Sequence, residues 1–158
     1  MSKEKEQANT EQQDQPVFSV QKIYTKDISF ENPNAPTVFG AEEQPRIELN
    51  LGVNHRQIDE NFWEVSLKVS ALARADEDDK VAFEVEVEQA GLFLLKNIPE
   101  EHIPSLLAVD CPTIVFPFTR QLVSQLTADG GFVPLLLDPF NFALAYQQSV
   151  EEQKKKIN

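Results

Sequence analysis

The chain has 158 residues, 41% of them hydrophobic and 25% charged, with a formal net charge of -12, which suits one domain with a real core. A surface this acidic repels phosphate backbones and argues against nucleic acid as a direct partner. The lone cysteine, Cys111, excludes an internal disulfide framework, and no stretch reads as the roughly 18 apolar residues of a membrane span.

Residues 1–16 are rich in Gln, Glu and Lys and bury too little to offset their ordering entropy, so they are expected to be disordered. Met1–Gln15 lacks an apolar core of the signal-peptide kind, which points to a cytoplasmic protein. The structured domain is expected over 17–150. Val17–Phe30 reads as a strand, with Phe18, Val20, Tyr24, Ile28 and Phe30 facing inward. Ser19, Gln21, Thr25, Asp27, Ser29 and then Glu31 face outward; Lys22, Ile23 and Lys26 break the alternation. Asn32-Pro33-Asn34-Ala35-Pro36 ends the strand and opens a long loop to Pro45.

Arg46–Val53 reads as a second strand, with Ile47, Leu49, Leu51 and Val53 on one face. A third runs from Phe62 to Ala75, with Trp63, Val65, Leu67, Val69 and Ala71 inward. Asp76-Glu77-Asp78-Asp79 supplies a turn. The fourth sets Val81, Phe83, Val85 and Val87 against Glu84, Glu86 and Glu88, and its pattern changes after Gly91. Short turns between successive strands argue an antiparallel sheet with one solvated face. Helices are expected over Glu101–Val109, over Pro117–Ala128 before Gly130, and from Asp138-Pro139 to about Gln153. Strands first and helices after give an α+β fold, with helices on one face of the sheet. Residues 151–158 are expected to form a flexible basic tail carrying Lys154, Lys155 and Lys156.

The chemistry of an enzyme is hard to find. No Gly-rich phosphate loop and no metal-ligand spacing occur, and Asp76–Asp79 lacks the alternation and distal Glu of a calcium loop. Cys111 with His102 is the one conceivable nucleophile and base, set against the plainer reading of a buried cysteine. The segment from Leu92 to Tyr146 is dense in Leu and Phe, more than one small interior needs, so some of it is expected to serve subunit contacts or a binding groove. A structural adaptor for one folded partner is the remaining alternative.

Particular residues carry a resemblance. The run Ile23-Tyr24-Thr25-Lys26-Asp27-Ile28-Ser29-Phe30-Glu31, followed by Pro33-Asn34-Ala35-Pro36, resembles the first strand and loop of the SecB family of protein-export chaperones. Phe83 through Glu86, Val87 and Gln89 to Gly91 is similar to that family's fourth strand. Cys111-Pro112 with Phe116-Pro117 and Arg120, and Pro139 with Asn141-Phe142, resemble its helical segments.

The resemblance implies a four-stranded antiparallel sheet with helices on one face, assembled as a homotetramer, a dimer of dimers. It implies an ATP-independent holdase without cofactor that binds unfolded precursor polypeptides and delivers them to the SecA translocase ATPase. It assigns SecA binding to Asp27, Glu31, Glu84 and Glu86. It assigns a client groove to Val38, Phe39, Phe142 and Tyr146, and an influence on oligomeric state to Val85, Val87 and Gln89. Glu43 stands where the family often has Trp. The Lys-rich end resembles basic tails that dock on the zinc-binding end of SecA.

Overall fold

The computed structural model describes residues 14–157. The expected disorder of residues 1–13 lies outside the described residues. Four strands follow: β1 (Val17–Glu31), β2 (Arg46–Gln57), β3 (Phe62–Arg74) and β4 (Val81–Lys96). Two helices come after them, α1 (Glu100–Asp129) and α2 (Phe142–Ile157).

The sheet order is β1-β4-β3-β2, and every neighbouring pair is antiparallel. Tight turns join β2 to β3 and β3 to β4. In the first, the Asp59 carboxylate accepts hydrogen bonds from the Asn61 and Phe62 amides at 3.1 and 3.2 Å. In the second, Asp79 adopts φ 57°, a conformation that Asp tolerates better than most residues. Arg46 pairs there with Asp76 at 2.6 Å and with Asp79 at 2.8 Å. The 32–45 link crosses from one sheet edge to the other. Asn34 anchors it by donating to the Val81 carbonyl at 2.8 Å, and Asn32 by donating to the Gly130 carbonyl at 3.0 Å.

The alternation of β1 needs correcting. Its register slips against β4 between Val20 and Lys22 and again between Thr25 and Asp27. Gln21 and Lys26 are therefore bulge residues, and each bulge turns the side-chain parity over. Directly opposed residues share a face, so Ile23, opposite Gly91, and Thr25, opposite Gln89, point inward. Tyr24, opposite Ala90, points outward. The expected placements of Tyr24 and Thr25 are reversed, and the three breaks in the alternation are the trace of the bulges.

The strand β4 also runs five residues beyond Gly91, to Lys96. It pairs on both sides, so its second half is apolar on both faces and loses its period-2 signature. Gly91 belongs in that strand for a packing reason: a Cβ there would sit 2.6 Å from the Phe93 ring and 3.2 Å from Ile23.

The two helices expected over 101–109 and 117–128 are one, α1. It passes through a 3₁₀ turn at Glu100–His102 and a π turn at Leu106–Asp110. A π turn re-aims backbone hydrogen bonds, and Pro112, which has no N–H, comes two residues after its end. By length and composition α1 is apolar enough to cross a membrane, unlike the expectation that no stretch comes close. Here it is the core helix: Leu107, Cys111, Val115, Phe116 and Val123 are buried with the inner faces of β3 and β4. It ends at Gly130-Gly131, where Gly131 takes φ 92° and the Phe132 amide donates back to the Thr127 carbonyl at 3.1 Å.

α2 starts at Phe142, not at Asp138. Asn141 is the cap: its side-chain oxygen accepts from the Leu144 amide at 2.9 Å. The helix continues through Lys154–Lys156 to Ile157, so the boundary expected at 150/151 falls inside it. Those lysines lie in its last turn, where cations complement the macrodipole.

Candidate functional site

Two surfaces follow from this frame. The first is the outer face of the sheet. The bulge at Lys26 turns Asp27, Ser29 and Glu31 outward, opposite Glu88, Glu86 and Glu84 respectively. Asp27 therefore faces Glu88, and Glu31 faces Glu84. Like charges directly opposed across a ladder are destabilising. This end of the face concentrates acids. Lys68 is the countercharge, 3.1 Å from Glu86, and that contact raises the lysine's affinity for its proton. Of the acids expected to bind SecA, Asp27, Glu31, Glu84 and Glu86, the fold brings all four onto one patch of β1 and β4.

Beside the patch lies a polar cluster that sequence reasoning missed. Glu64 on β3 is only 8% exposed although it points to the outer side of the sheet. The Tyr24 hydroxyl donates to its Oε2. Lys26 Nζ donates to its Oε1 at 2.9 Å, and Arg56 Nη2 approaches the same oxygen at 3.4 Å. Burial alone would raise the Glu64 carboxyl; the hydrogen bonds from Tyr24 and Lys26 outweigh it and hold the group below the ordinary carboxylate range. Tyr24 is pushed up to about 12, first by burial and then by its bond to Glu64. The signal in the sequence was the misplaced Lys26, which looked like a flaw in the strand.

The second surface is apolar. The 32–45 link, with Val38 and Phe39, faces residues 131–135 across a cleft of about 330 Å³ floored by Phe83. Phe39 is 48% exposed and packs at a tilt against Phe132 with ring centroids 5.3 Å apart. Phe132 in turn meets Phe83 at 4.8 Å. Glu42 and Glu43 line the same cleft. Ile47 on β2 also lines it, and Leu49 and Val53 continue that apolar face along the strand. They are 41% (Ile47), 50% (Leu49) and 36% (Val53) exposed. Phe142 and Tyr146 do not line this cleft. Phe142 is buried, packed edge-on against Phe116 and against Phe140 at 4.7 Å, and Tyr146 is half-buried on α2. The far wall comes from residues 131–135, whose pattern of residues gives no sign of it.

Val85, Val87 and Gln89 all lie on the inner, helix-covered face and are buried. Gln89 accepts a hydrogen bond from the Thr25 hydroxyl at 2.7 Å, so β1 and β4 are tied at that level.

The comparisons with known proteins agree with this architecture. The family model described as preprotein translocase subunit SecB matches residues 11–153. The chain belongs to the SecB family. A protein-export protein SecB of Desulfotalea psychrophila is 46% identical over 151 residues, covering 95% of this chain and 97% of that one. Its counterpart in Acidithiobacillus ferrooxidans is 48% identical over 140 residues, covering 87% and 93%. A solved SecB-like chaperone of Mycobacterium tuberculosis, in complex with a peptide from an antitoxin, superposes with a TM-score of 0.64 at 16% identity, over 78% of this chain and 91% of that one. SecB membership makes this chain a protein-export chaperone with the family's α+β fold.

The nucleophile-and-base alternative meets a different geometry. Cys111 is fully buried, and its thiol is pushed up to about 12, by burial first and by Asp110 second. A thiol held protonated is a poor nucleophile. His102 is exposed and lies 3.6 Å from Glu101. Nine helical residues separate the two side chains, about 13 Å along the axis. Among the described residues no group of three or more His, Cys, Asp or Glu side chains is placed to hold a metal ion.

Proposed function

We propose that this SecB-family chain is a cytoplasmic holdase that binds unfolded precursor polypeptides without ATP and delivers them to the SecA translocase ATPase. It carries out no chemical step. The observation that carries the reading is the uncovered apolar inner face of β2, continuous through Ile47 with the Phe39 cleft. Extended polypeptides bind such a surface through apolar burial and through the free backbone groups of an edge strand, and neither depends on client sequence. The mycobacterial SecB-like chaperone of the same fold is itself in complex with a peptide. Val38 and Phe39 are the groove residues on the loop side; Tyr146 on α2 is the half-buried aromatic left to extend it.

The acidic patch of Asp27, Glu31, Glu84 and Glu86 is the SecA-binding face in this reading. Asp27 opposite Glu88 and Glu31 opposite Glu84 leave an excess of negative charge that Lys68 and Lys26 offset only in part and that a basic partner would relieve. A tetramer, a dimer of dimers, is supported by apolar side chains open on the other edge, Phe18, Val20 and Ile28 on β1, and by the exposed Phe118 on α1. Several subunits give one long client many weak contacts, and avidity supplies the rest. Val85, Val87 and Gln89 act on assembly through the core beneath β1, and the basic end of α2 is a further contact to SecA. The protein does not enter the membrane or bind nucleic acid.

The test is the aggregation of a chemically denatured model protein, followed by light scattering in the absence of ATP. The wild-type protein should suppress it at about one tetramer per client. Unchanged aggregation at that ratio would overturn the reading.

A further inference from the structure

The outer acids owe their alignment to two bulges in β1. Fifteen residues of β1, Val17 to Glu31, lie opposite Lys96 to Glu84, a shorter stretch of β4, because Gln21 and Lys26 stand without a partner. An unbulged β1 is also conceivable from the sequence, and it is the strand that simple alternation describes. It would turn Tyr24 inward with Lys22 and Lys26, and would shift one end of β1 against β4 by two residues. Where the shifted end is the one carrying Asp27 to Glu31, those acids stay outward but no longer flank the Ser29–Glu86 pair.

The packing of Ile23 against the core favours the bulged strand, since simple alternation would turn that side chain outward. On the outer side one group makes the choice. Tyr24 and Lys26, flanking the inward Thr25, both end on the carboxylate of Glu64. Lys26 also lies 4.0 Å from Glu88, the residue opposite Asp27. Arg56, from the far edge strand β2, closes the cluster. An almost buried carboxylate with three donors is a costly arrangement to break, because each donor or the acid itself is left unpaired.

We infer that Glu64 is a positioning residue for the acidic face: by holding Tyr24 and Lys26 on the outer side it fixes the doubly bulged register of β1, and so sets Asp27 and Glu31 on either side of Glu86. Glu64 itself touches no partner. Its effect on SecA rests on the proposed reading of that face, whereas its effect on the register does not.

The experiment measures both. Cross-strand nuclear Overhauser contacts of the full-length protein report the pairing of Asp27 with Glu88 and of Thr25 with Gln89. Titration with SecA reports affinity, and suppression of client aggregation serves as a control for folding. In Glu64→Ala the two pairings should weaken or be replaced by contacts shifted along β4. SecA affinity should fall about tenfold, with client holding unchanged. Glu64→Gln, which keeps the acceptor for Tyr24 but loses the charge facing Lys26, should fall in between. Lys26→Met probes the same contact from the other strand and serves if Glu64→Ala does not fold; it too should loosen the pairing. Unshifted contacts in the folded Glu64 and Lys26 variants would overturn the inference. The direct variant Asp27→Asn separates the two readings. If it binds SecA normally, the face was misassigned, and the register result still stands or falls on its own contacts.

Discussion

Along β3, Val65, Leu67, Val69, Ala71 and Ala73 alternate with outward residues, and none is more than 1% exposed. Along β2, Ile47, Leu49, Leu51 and Val53 alternate just as regularly on the same face, directly opposite them, yet most of that row is open to solvent. The difference is one of width. A helix with its side chains is about 10–12 Å across, and strands lie about 4.8 Å apart, so one helix covers about two strands. α1 packs on β3 and β4, the central pair. Both edge strands keep apolar inner faces uncovered, β2 with Ile47, Leu49 and Val53, and β1 with Phe18, Val20 and Ile28. Alternation fixes which way a side chain points; the number of helices decides whether anything covers it. In the proposed reading the gap over β2 is where clients lie.

The covered half can be broken first, and at the greatest cost. Phe93 is fully buried on the inner face of β4. Phe93→Ala should lose about 3–5 kcal/mol in urea unfolding, the usual range for emptying such a site. Gly91→Ala should cost about 1–3 kcal/mol by overpacking, since its new methyl lies 2.6 Å from that same ring.

Titration sharpens the contrast at a smaller scale. The thiol of Cys111 in the core is raised from 9.0 to about 12, and the Tyr24 phenol from 10.0 to about 12. A folded-state value above the unfolded one gives stability that is complete below the unfolded value and disappears as pH rises through the folded one. Stability should therefore fall from about pH 9 to pH 12, and Cys111→Ala should remove the earlier part of that decline. Glu64 has the opposite sign: its value is lowered from 4.5, so its contribution is present above that pH and is lost on acidification. Glu64→Gln should flatten the acid limb in a thermal-melt series.

The uncovered half should respond least. Leu49→Ser should change unfolding free energy by no more than about 0.5 kcal/mol, as at an ordinary surface position. If it instead destabilises as much as a core substitution, β2 is covered in the assembled protein and the contrast disappears.

Much of the fold was legible in the sequence because its signals are local. Period-2 alternation in β2, β3 and the first half of β4 marked three strands and their inner faces. Asn32 to Pro36 marked the crossing link. The acids Asp27, Glu31, Glu84 and Glu86 could be assigned outward because parity survives two bulges: the second inversion cancels the first. Tyr24 lies between the bulges, so simple alternation puts it on the wrong side and hides the Glu64 cluster. The remaining errors are tertiary in origin. Past Gly91, β4 is apolar on both faces because β1 and β3 flank it. A π turn carries α1 past prolines that read as breaks. Asn141 caps α2 where Asp138-Pro139 offered an equally good local start. The cleft wall at 131–135 had no periodicity to announce it.

The central claim is that clients lie on the apolar side, along β2 and the Phe39 cleft, and leave the acids free for a second partner. Hydrogen exchange of the assembled protein, with and without a denatured client, tests it directly. The account predicts slowed exchange in residues 36–57 and 131–135 and none at Asp27 to Glu31 or Glu84 to Glu86. Slowing confined to the acidic strands, with β2 unchanged, would contradict it.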